Sequence, residues 1–372
     1  MFTLKEILQQ PQLWNEIWEL VYRNKQEIID FLRPYNNYDV IFTGAGSSYF
    51  IGEIVAPIFQ KDTGHSARAI SSTEIVTHPY HYINPNKNIL LVSFARSGDS
   101  PESFAAIQLA KKISSNLKSL VITCNAKGHL AQIENDSNNY KIILPEKAND
   151  KSLAMTSSVT GMALTALLLG RIHHLDNEKI KIKTAAKSVK EFIYLYDKSL
   201  QKIATNDFSR AVFLGSGSMI GVARESHLKL QELTDGSIIS KFDSFLGFRH
   251  GPKAVVNNKT LIVYFITNDP YVRQYEFDLI KSIKQNQRTG LSIAIYNQDI
   301  PKYIKNSIDV GYQIQSDSNQ INEAYWTLSS LVVAQLLATY KSIELGYNPD
   351  SPSISGSIHR VVQGVTIYEH QK

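Results

Sequence analysis

Cysteine is nearly missing from this chain: Cys124 is the one such residue among 372. No disulfide can form within it, which fits a reducing, cytoplasmic setting and removes the small cystine-stapled classes. Cys124 lies in the apolar run LVITCN, where a thiol packs as a small hydrophobe rather than serving as a nucleophile. Long apolar runs are also lacking. The most apolar window, Leu153 to Gly170 (LAMTSSVTGMALTALLLG), opens on hydroxyls and is short for a membrane span, so it reads as a buried helix. The opening MFTLKEILQQPQLWNEIWEL has no basic region, long apolar core or small-residue cleavage site, so no signal peptide is expected. Blocks of like charge are absent, and a formal charge of +5 is spread thinly. Neither nucleic acid nor membrane is implied as a partner. A weakly basic surface suits a small anionic substrate.

What is present is ordinary globular composition, 43% hydrophobic and 20% charged, on a chain long enough for two domains. Leu4, Ile7 and Leu8, then Ile17, Leu20 and Val21, keep helical spacing around Pro11. This pattern predicts two short amphipathic helices ending near RPYNNYD. Strand and helix then alternate: YDVIFTGAGSS, NILLVSFARSGDS with PESFAAIQLAKKI, and LKSLVITCNAKG with HLAQI. Such alternation predicts parallel sheets covered on both faces.

The pattern occurs twice. Gly44 and Gly46 align with Gly215 and Gly217 at an offset of 171 residues, which also lays Leu90–Phe94 (LLVSF) on Leu261–Phe265 (LIVYF). This is a duplicated α/β unit, with the lysine-rich stretch from about Asn177 to Lys202 as connector. The expected boundaries are 1–36 for the leading helices, 37–195 and 200–345 for the copies, and 346–372 for a tail.

The chemistry concentrates in four places. SFARSGDSPES follows a core strand; Ser100 fits an N-cap, Pro101 the first helical position, and Glu102 with Ser103 the first turn. A plain cap explains Ser100 and Pro101. Arg96, Ser97 and Gly98 ahead of them fit a phosphate cradle, in which glycine admits the anion and helix N–H groups and hydroxyls bind it. The second copy reads ITNDPYVR there, so the strand does not require the hydroxyls. GAGSSYF is a second glycine–serine turn. Tyr49 breaks the dinucleotide fingerprint, and no Walker lysine is present. Ser47 and Ser48 can instead join Ser97 around one phosphate, because adjacent parallel strands bring these loops together. In ARESHLKLQELTDG, Glu225, Lys229 and Glu232 share one helix face, either as a solvated stripe or as a proton-transfer set. His250, in FRHGP, sits in a glycine–proline turn among phenylalanines. His78, His81, His173 and His174 have no acidic or cysteine partners at ligand spacing, and no metal site is expected.

GAGSS, RSGDSPE, LKLQEL and HGP, in this order on a duplicated α/β unit, resemble the sugar isomerase (SIS) domain proteins. SFARSGDSPES, AMTSS, FRHGP and NPDSPSISGSIHRVVQGV resemble the subgroup called tagatose-6-phosphate ketose/aldose isomerase, also described as galactosamine-6-phosphate deaminase/isomerase. The resemblance runs from about Tyr38 to the C-terminal end. It implies an α/β fold of two tandem doubly wound, flavodoxin-like subdomains, each a mostly parallel five-stranded sheet flanked by helices, with N-terminal helices and a C-terminal tail over the site. It also implies a phosphosugar substrate, no cofactor, and a homodimer or higher homo-oligomer with shared active sites.

Carried over by position from glutamine-dependent glucosamine-6-phosphate synthase, the resemblance gives Ser48, Ser97 and Ser100 the phosphate, with Arg96 and Gly98 in the same loop. Glu232 takes the proton transfer between C1 and C2 with Lys229 beside it, and His250 takes ring opening. Two positions depart: Ala95 replaces a phosphate-binding serine, and Gln363 replaces a sugar-contacting lysine. Thr156, Ser157 and Ser158 fit either a sugar wall or a helix cap. The expected activity is conversion of galactosamine 6-phosphate to tagatose 6-phosphate and ammonia. Isomerisation without deamination, a glucosamine 6-phosphate substrate, and a sugar-phosphate-sensing regulator remain the alternatives.

Overall fold

The computed structural model describes residues 1–33, 37–285, 290–315 and 321–370. The expected boundary at residue 36 falls outside them.

The leading segment corrects the sequence reading. Phe2–Arg23 is one helix that runs through Pro11, followed by a second, Lys25–Leu32. Proline removes the N–H that would bond the carbonyl four residues back, here Ile7. The neighbouring Gln10 supplies the missing donor: its Nε2 lies 3.0 Å from the Ile7 carbonyl and 2.7 Å from Gln335 Oε1. A local side-chain repair thus carries the helix past its expected break.

The first sheet holds β1 (Asp39–Gly44), β2 (Ala67–Ser71), β3 (Ile89–Ala95), β4 (Leu117–Thr123) and β5 (Asn139–Ile143) in the order β2-β1-β3-β4-β5. The second holds β6 (Arg210–Gly215), β7 (Ile239–Ser244), β8 (Thr260–Phe265), β9 (Leu291–Tyr296) and β10 (Val310–Gln313) in the order β10-β9-β8-β6-β7. The two orders are the same when read from the opposite edge. Every pairing is parallel, so the sheets go beyond the expected mostly parallel character. β3, β4 and β8 are buried at every residue, as strands covered by helices on both faces must be, whereas edge strand β5 alternates and edge strand β2 is buried at Ile70 alone.

The chain divides into two compact units. The first-sheet unit comprises Gln12–Lys151, Met155–Lys179 and Gly356–Lys372; the second-sheet unit comprises Met1–Pro11, Ser152–Ala154 and Ile180–Ser355. Inside the first, Ile41, Leu91, Val121 and Ala106 share one core; inside the second, Val212, Ile262, Tyr264 and Ile280 do. The apolar window forms the helix Ser157–Gly170, buried through Leu169. Among the described residues no helix is long and apolar enough to cross a membrane.

In each sheet the strand order reverses direction once, between β1 and β3 and between β6 and β8. In open α/β sheets this reversal opens a crevice at the carboxyl ends of the strands. The loops singled out in the sequence end those strands.

Candidate active site

The turn after β1 is shaped by two glycines. A Cβ on Gly44 would stand 2.5 Å from that of Ser48, and Gly46 takes φ 57°. Both conditions exclude a side chain, and they let the helix Ser47–Thr63 start directly off the strand. Ser47 and Ser48 occupy its first turn at 4% and 5% exposure. Their hydroxyls meet no hydrogen-bond partner among the described residues. Behind them, register neighbours Thr43 and Ser93 are buried with unpartnered hydroxyls. A crevice lined by unmatched hydroxyls at a helix N-terminus is suited to an oxyanion.

The loop after β3 is held by the loop after β4. Asn125 Nδ2 donates to the Ser97 carbonyl at 2.7 Å, and Leu130 N–H to the Gly98 carbonyl at 3.1 Å. Gly98 has φ 73°, and a Cβ on Gly128 would lie 2.2 Å from the Ser97 oxygen. Asp99 accepts from His129 N–H at 3.0 Å. Ser97 Oγ accepts from Asp99 N–H at 3.3 Å. Ser100 stands at the N-cap of the helix Pro101–Ile113, yet its hydroxyl makes no cap; it donates to Glu102 Oε2 at 2.6 Å. The first turn of that helix therefore lacks a side-chain cap.

Arg96 and the tail belong to the same unit, and sequence reasoning left their link unseen. The guanidinium of Arg96, 6% exposed, donates to the Arg360 carbonyl. Arg360 in turn donates through Nε to the Asp150 carbonyl at 2.9 Å and through Nη2 to Asn149 Oδ1 at 2.8 Å. Farther along, Ile367–His370 line a groove of about 490 Å³ with Ser100, Pro101, Phe104 and His129. Gln363 is exposed between these two anchors.

Asp150 also organises Thr156, Ser157 and Ser158, all fully buried. Its carboxylate accepts from the backbone N–H of Thr156, Ser157 and Ser158 at 2.7, 2.9 and 3.0 Å. It also accepts from the hydroxyls of Thr156 at 3.0 Å and Ser158 at 2.5 Å. The geometry is a helix cap made by a carboxylate from six residues upstream. Of the two sequence readings for these residues, capping is the role their partners describe.

In the second-sheet unit, Glu225, Lys229 and Glu232 lie on the helix Ser218–Leu233. Lys229 Nζ sits 3.4 Å from Glu225 Oε1 and 2.5 Å from Glu232 Oε2. Burial pulls the ammonium down, but the two carboxylates outweigh it and hold its pKa above the ordinary lysine value. The pattern is thus no solvated stripe: Glu225 and Lys229 are buried, and only Glu232, at 24% side-chain exposure, reaches solvent. A fixed ammonium against an accessible carboxylate orients a proton acceptor. His250 lies in the turn between the short helices Gly247–Arg249 and Pro252–Val255. It is exposed, and its ring meets no partner among the described residues.

Cys124 is buried, and burial pushes its thiol well above the usual range, so no thiolate is available for nucleophilic attack. No group of three or more His, Cys, Asp or Glu residues among those described could hold a metal ion.

The SIS domain family matches residues 35–170. Over the whole length, the D-galactosamine-6-phosphate deaminase AgaS of Shewanella sp. (strain ANA-3) is 37% identical, covering 100% of this chain and 92% of the relative. The chain belongs to the SIS family. Another SIS relative, the D-galactosamine-6-phosphate deaminase AgaS of Escherichia coli O157:H7, is 36% identical over 100% of this chain and 96% of its own. Among solved SIS structures, the tagatose-6-phosphate ketose/aldose isomerase from Escherichia coli superposes with a TM-score of 0.91 at 33% identity. The match covers 100% of this chain and 97% of that one.

Proposed function

We propose that the chain is a phosphosugar isomerase/deaminase that converts galactosamine 6-phosphate and water to tagatose 6-phosphate and ammonia. Full-length similarity to galactosamine-6-phosphate deaminases supports the substrate. The observation that carries the mechanism is the accessible Glu232 carboxylate clamped by the buried Lys229.

The phosphate is assigned to Ser47, Ser48, Ser97, Gly98 and Ser100, with Arg96 behind the loop. Neutral hydroxyls and helix N–H groups bind the dianion, while the positive ends of two helices supply the field. His250 assists ring opening. In the open chain, Glu232 removes the C2 proton and returns it at C1, converting the 2-amino aldose through an enolamine to a C2 imine. Water adds to that carbon, and the carbinolamine expels ammonia to leave the ketose. Lys229 stays protonated and fixes the carboxylate. Gln363, exposed on the tail, is assigned to the sugar hydroxyls; Thr156, Ser157 and Ser158 serve it through the cap on Asp150. The exposed, unpartnered His250 suits an oligomer in which it serves a neighbouring copy's site. A single buried cysteine suits a cytoplasmic enzyme.

The test is an ammonia and ketose-phosphate assay on galactosamine 6-phosphate and glucosamine 6-phosphate, separately. Ammonia and tagatose 6-phosphate from the galacto sugar are expected. Isomerised phosphosugar without ammonia would replace deamination by simple isomerisation, and no turnover of either would leave the sensor reading.

A further inference from the structure

The second switch point, between β6 and β8, has the same architecture as the first but a different content. At the 171-residue offset, Met219 replaces Ser48, Thr267 replaces Arg96 and Asn268 replaces Ser97. Gly217 keeps the backbone of Gly46, with φ 57° and ψ −128° against 57° and −129°. The turn is thus conserved in shape, and a donor set remains in it.

That set is engaged from inside. Glu276, on the helix Pro270–Gln285 that follows β8, is fully buried. Its Oε2 accepts from Thr267 N–H at 3.1 Å and from the Thr267 hydroxyl at 3.4 Å. Its Oε1 makes no hydrogen bond; burial raises its pKa, and the Ser216 hydroxyl of the β6 turn opposes that rise. The carboxylate therefore lies between the turn after β6 and the loop after β8. In the first-sheet unit, the helix after β3 has only Ala105, Ala106 and Ile107 at the corresponding turn.

We propose that the Glu276 carboxyl group is a built-in occupant of a second oxyanion cradle, and that this cradle accepts inorganic phosphate once the carboxyl is removed. The donors are Thr267 and Ser216, which the turn brings together; Arg273 on the same helix adds a nearby positive charge, while its Nη atoms donate to Gln298 and the Asp299 carbonyl. A half-satisfied, buried carboxylate is costly unless it replaces something the loops would otherwise lack. Resting on the proposed reading of the first copy as a phosphate cradle, the duplication identifies that something as an oxyanion.

The experiment measures how inorganic phosphate, against chloride at equal ionic strength, shifts the melting temperature of the full chain. Wild type, Glu276→Ala, Glu276→Asp and the double variant Glu276→Ala with Ser216→Ala are compared. Ligand that binds only the folded state raises its stability by mass action. Glu276→Ala is expected to gain a phosphate-dependent rise beyond wild type, one that Glu276→Asp lacks and the double variant loses. Glu276→Ala that folds only with phosphate would give the same result in stronger form. A response equal to wild type, or a Glu276→Ala chain that phosphate fails to stabilise, overturns the proposal. The readout is binding rather than turnover, so its failure is distinct from failure of the proposed reaction.

Discussion

The two sheets share strand order, parallel pairing and a glycine turn of nearly identical dihedrals, yet they divide the chemistry between them. The helix after β1 begins with Ser47 and Ser48 and continues into Ile54, Ile58 and Lys61. At the same offset of 171 residues, the helix after β6 begins with Ser218 and Met219 and continues into Glu225, Lys229 and Glu232. One copy keeps hydroxyls at its strand-end loop and a mostly apolar helix face. The other replaces Ser48 and Ser97 by Met219 and Asn268 and places a carboxylate–ammonium–carboxylate row where the first has Ile54, Ile58 and Lys61. The fold tolerates either set, so neither is there to make the fold. What the duplication conserves is backbone shape, and what it releases is chemistry.

The sharpest break in that comparison is expected at Glu232. Glu232→Gln should lower kcat in the ammonia assay by roughly a hundred- to ten-thousand-fold, the usual worth of a positioned acid–base group, with binding little changed. Next in size is Asp150→Ala. It leaves a cluster of fully buried donors without their acceptor, each costing about 1–3 kcal/mol, so thermal unfolding should move far down. An unmoved melting temperature would mean the capping geometry has little energetic weight.

The hydroxyls come third. Ser48→Ala combined with Ser97→Ala should raise KM about ten- to a hundred-fold, since a hydrogen bond to a charged group contributes about 1.5–3 kcal/mol. Met219→Ser at the equivalent place should leave KM as it was; equal effects at both would erase the asymmetry. The smallest signal concerns pH. Burial, opposed by Ser216 and Thr267, pushes Glu276 up to about 7 from 4.5. The folded state then holds this proton more tightly than the unfolded chain, so the contribution to stability is greatest below 4.5 and declines as pH rises toward 7. Glu276→Gln should flatten that decline by at most one proton, about 1.4 kcal/mol per pH unit; an unchanged slope would show the carboxyl does not titrate there.

Much of this was legible because it is periodic or local. Apolar runs separated by glycine turns predict parallel strands, and the repeat offset predicts that both halves fold alike. The Glu225, Lys229 and Glu232 spacing places three charges on one helix face. What the spacing leaves open is whether that face meets water, and only the packed structure shows Lys229 buried between its carboxylates. Pro11 misleads because its repair depends on Gln10 reaching back to the Ile7 carbonyl and onward to Gln335, a partner distant in sequence. Ser100 has the right residue at the right place for a cap, but its hydroxyl turns to donate to Glu102 and accepts no helix N–H. Arg360 and Asp150 carry no local signature at all, since their pairing spans most of the chain.

That last pairing bears on how the protein is made. Arg360 donates to the Asp150 carbonyl across 210 positions of sequence. At about 5–20 residues per second, ribosomes leave roughly ten to forty seconds between the emergence of the two. The first sheet can form early, with all its strands synthesised, while the loop at Arg96 still lacks the carbonyl it will hold. Throughout that interval the other sheet is being produced. The nascent chain thus acquires the shape of its first half well before the tether on its Arg96 loop, which stays unanchored until nearly all of the chain has emerged.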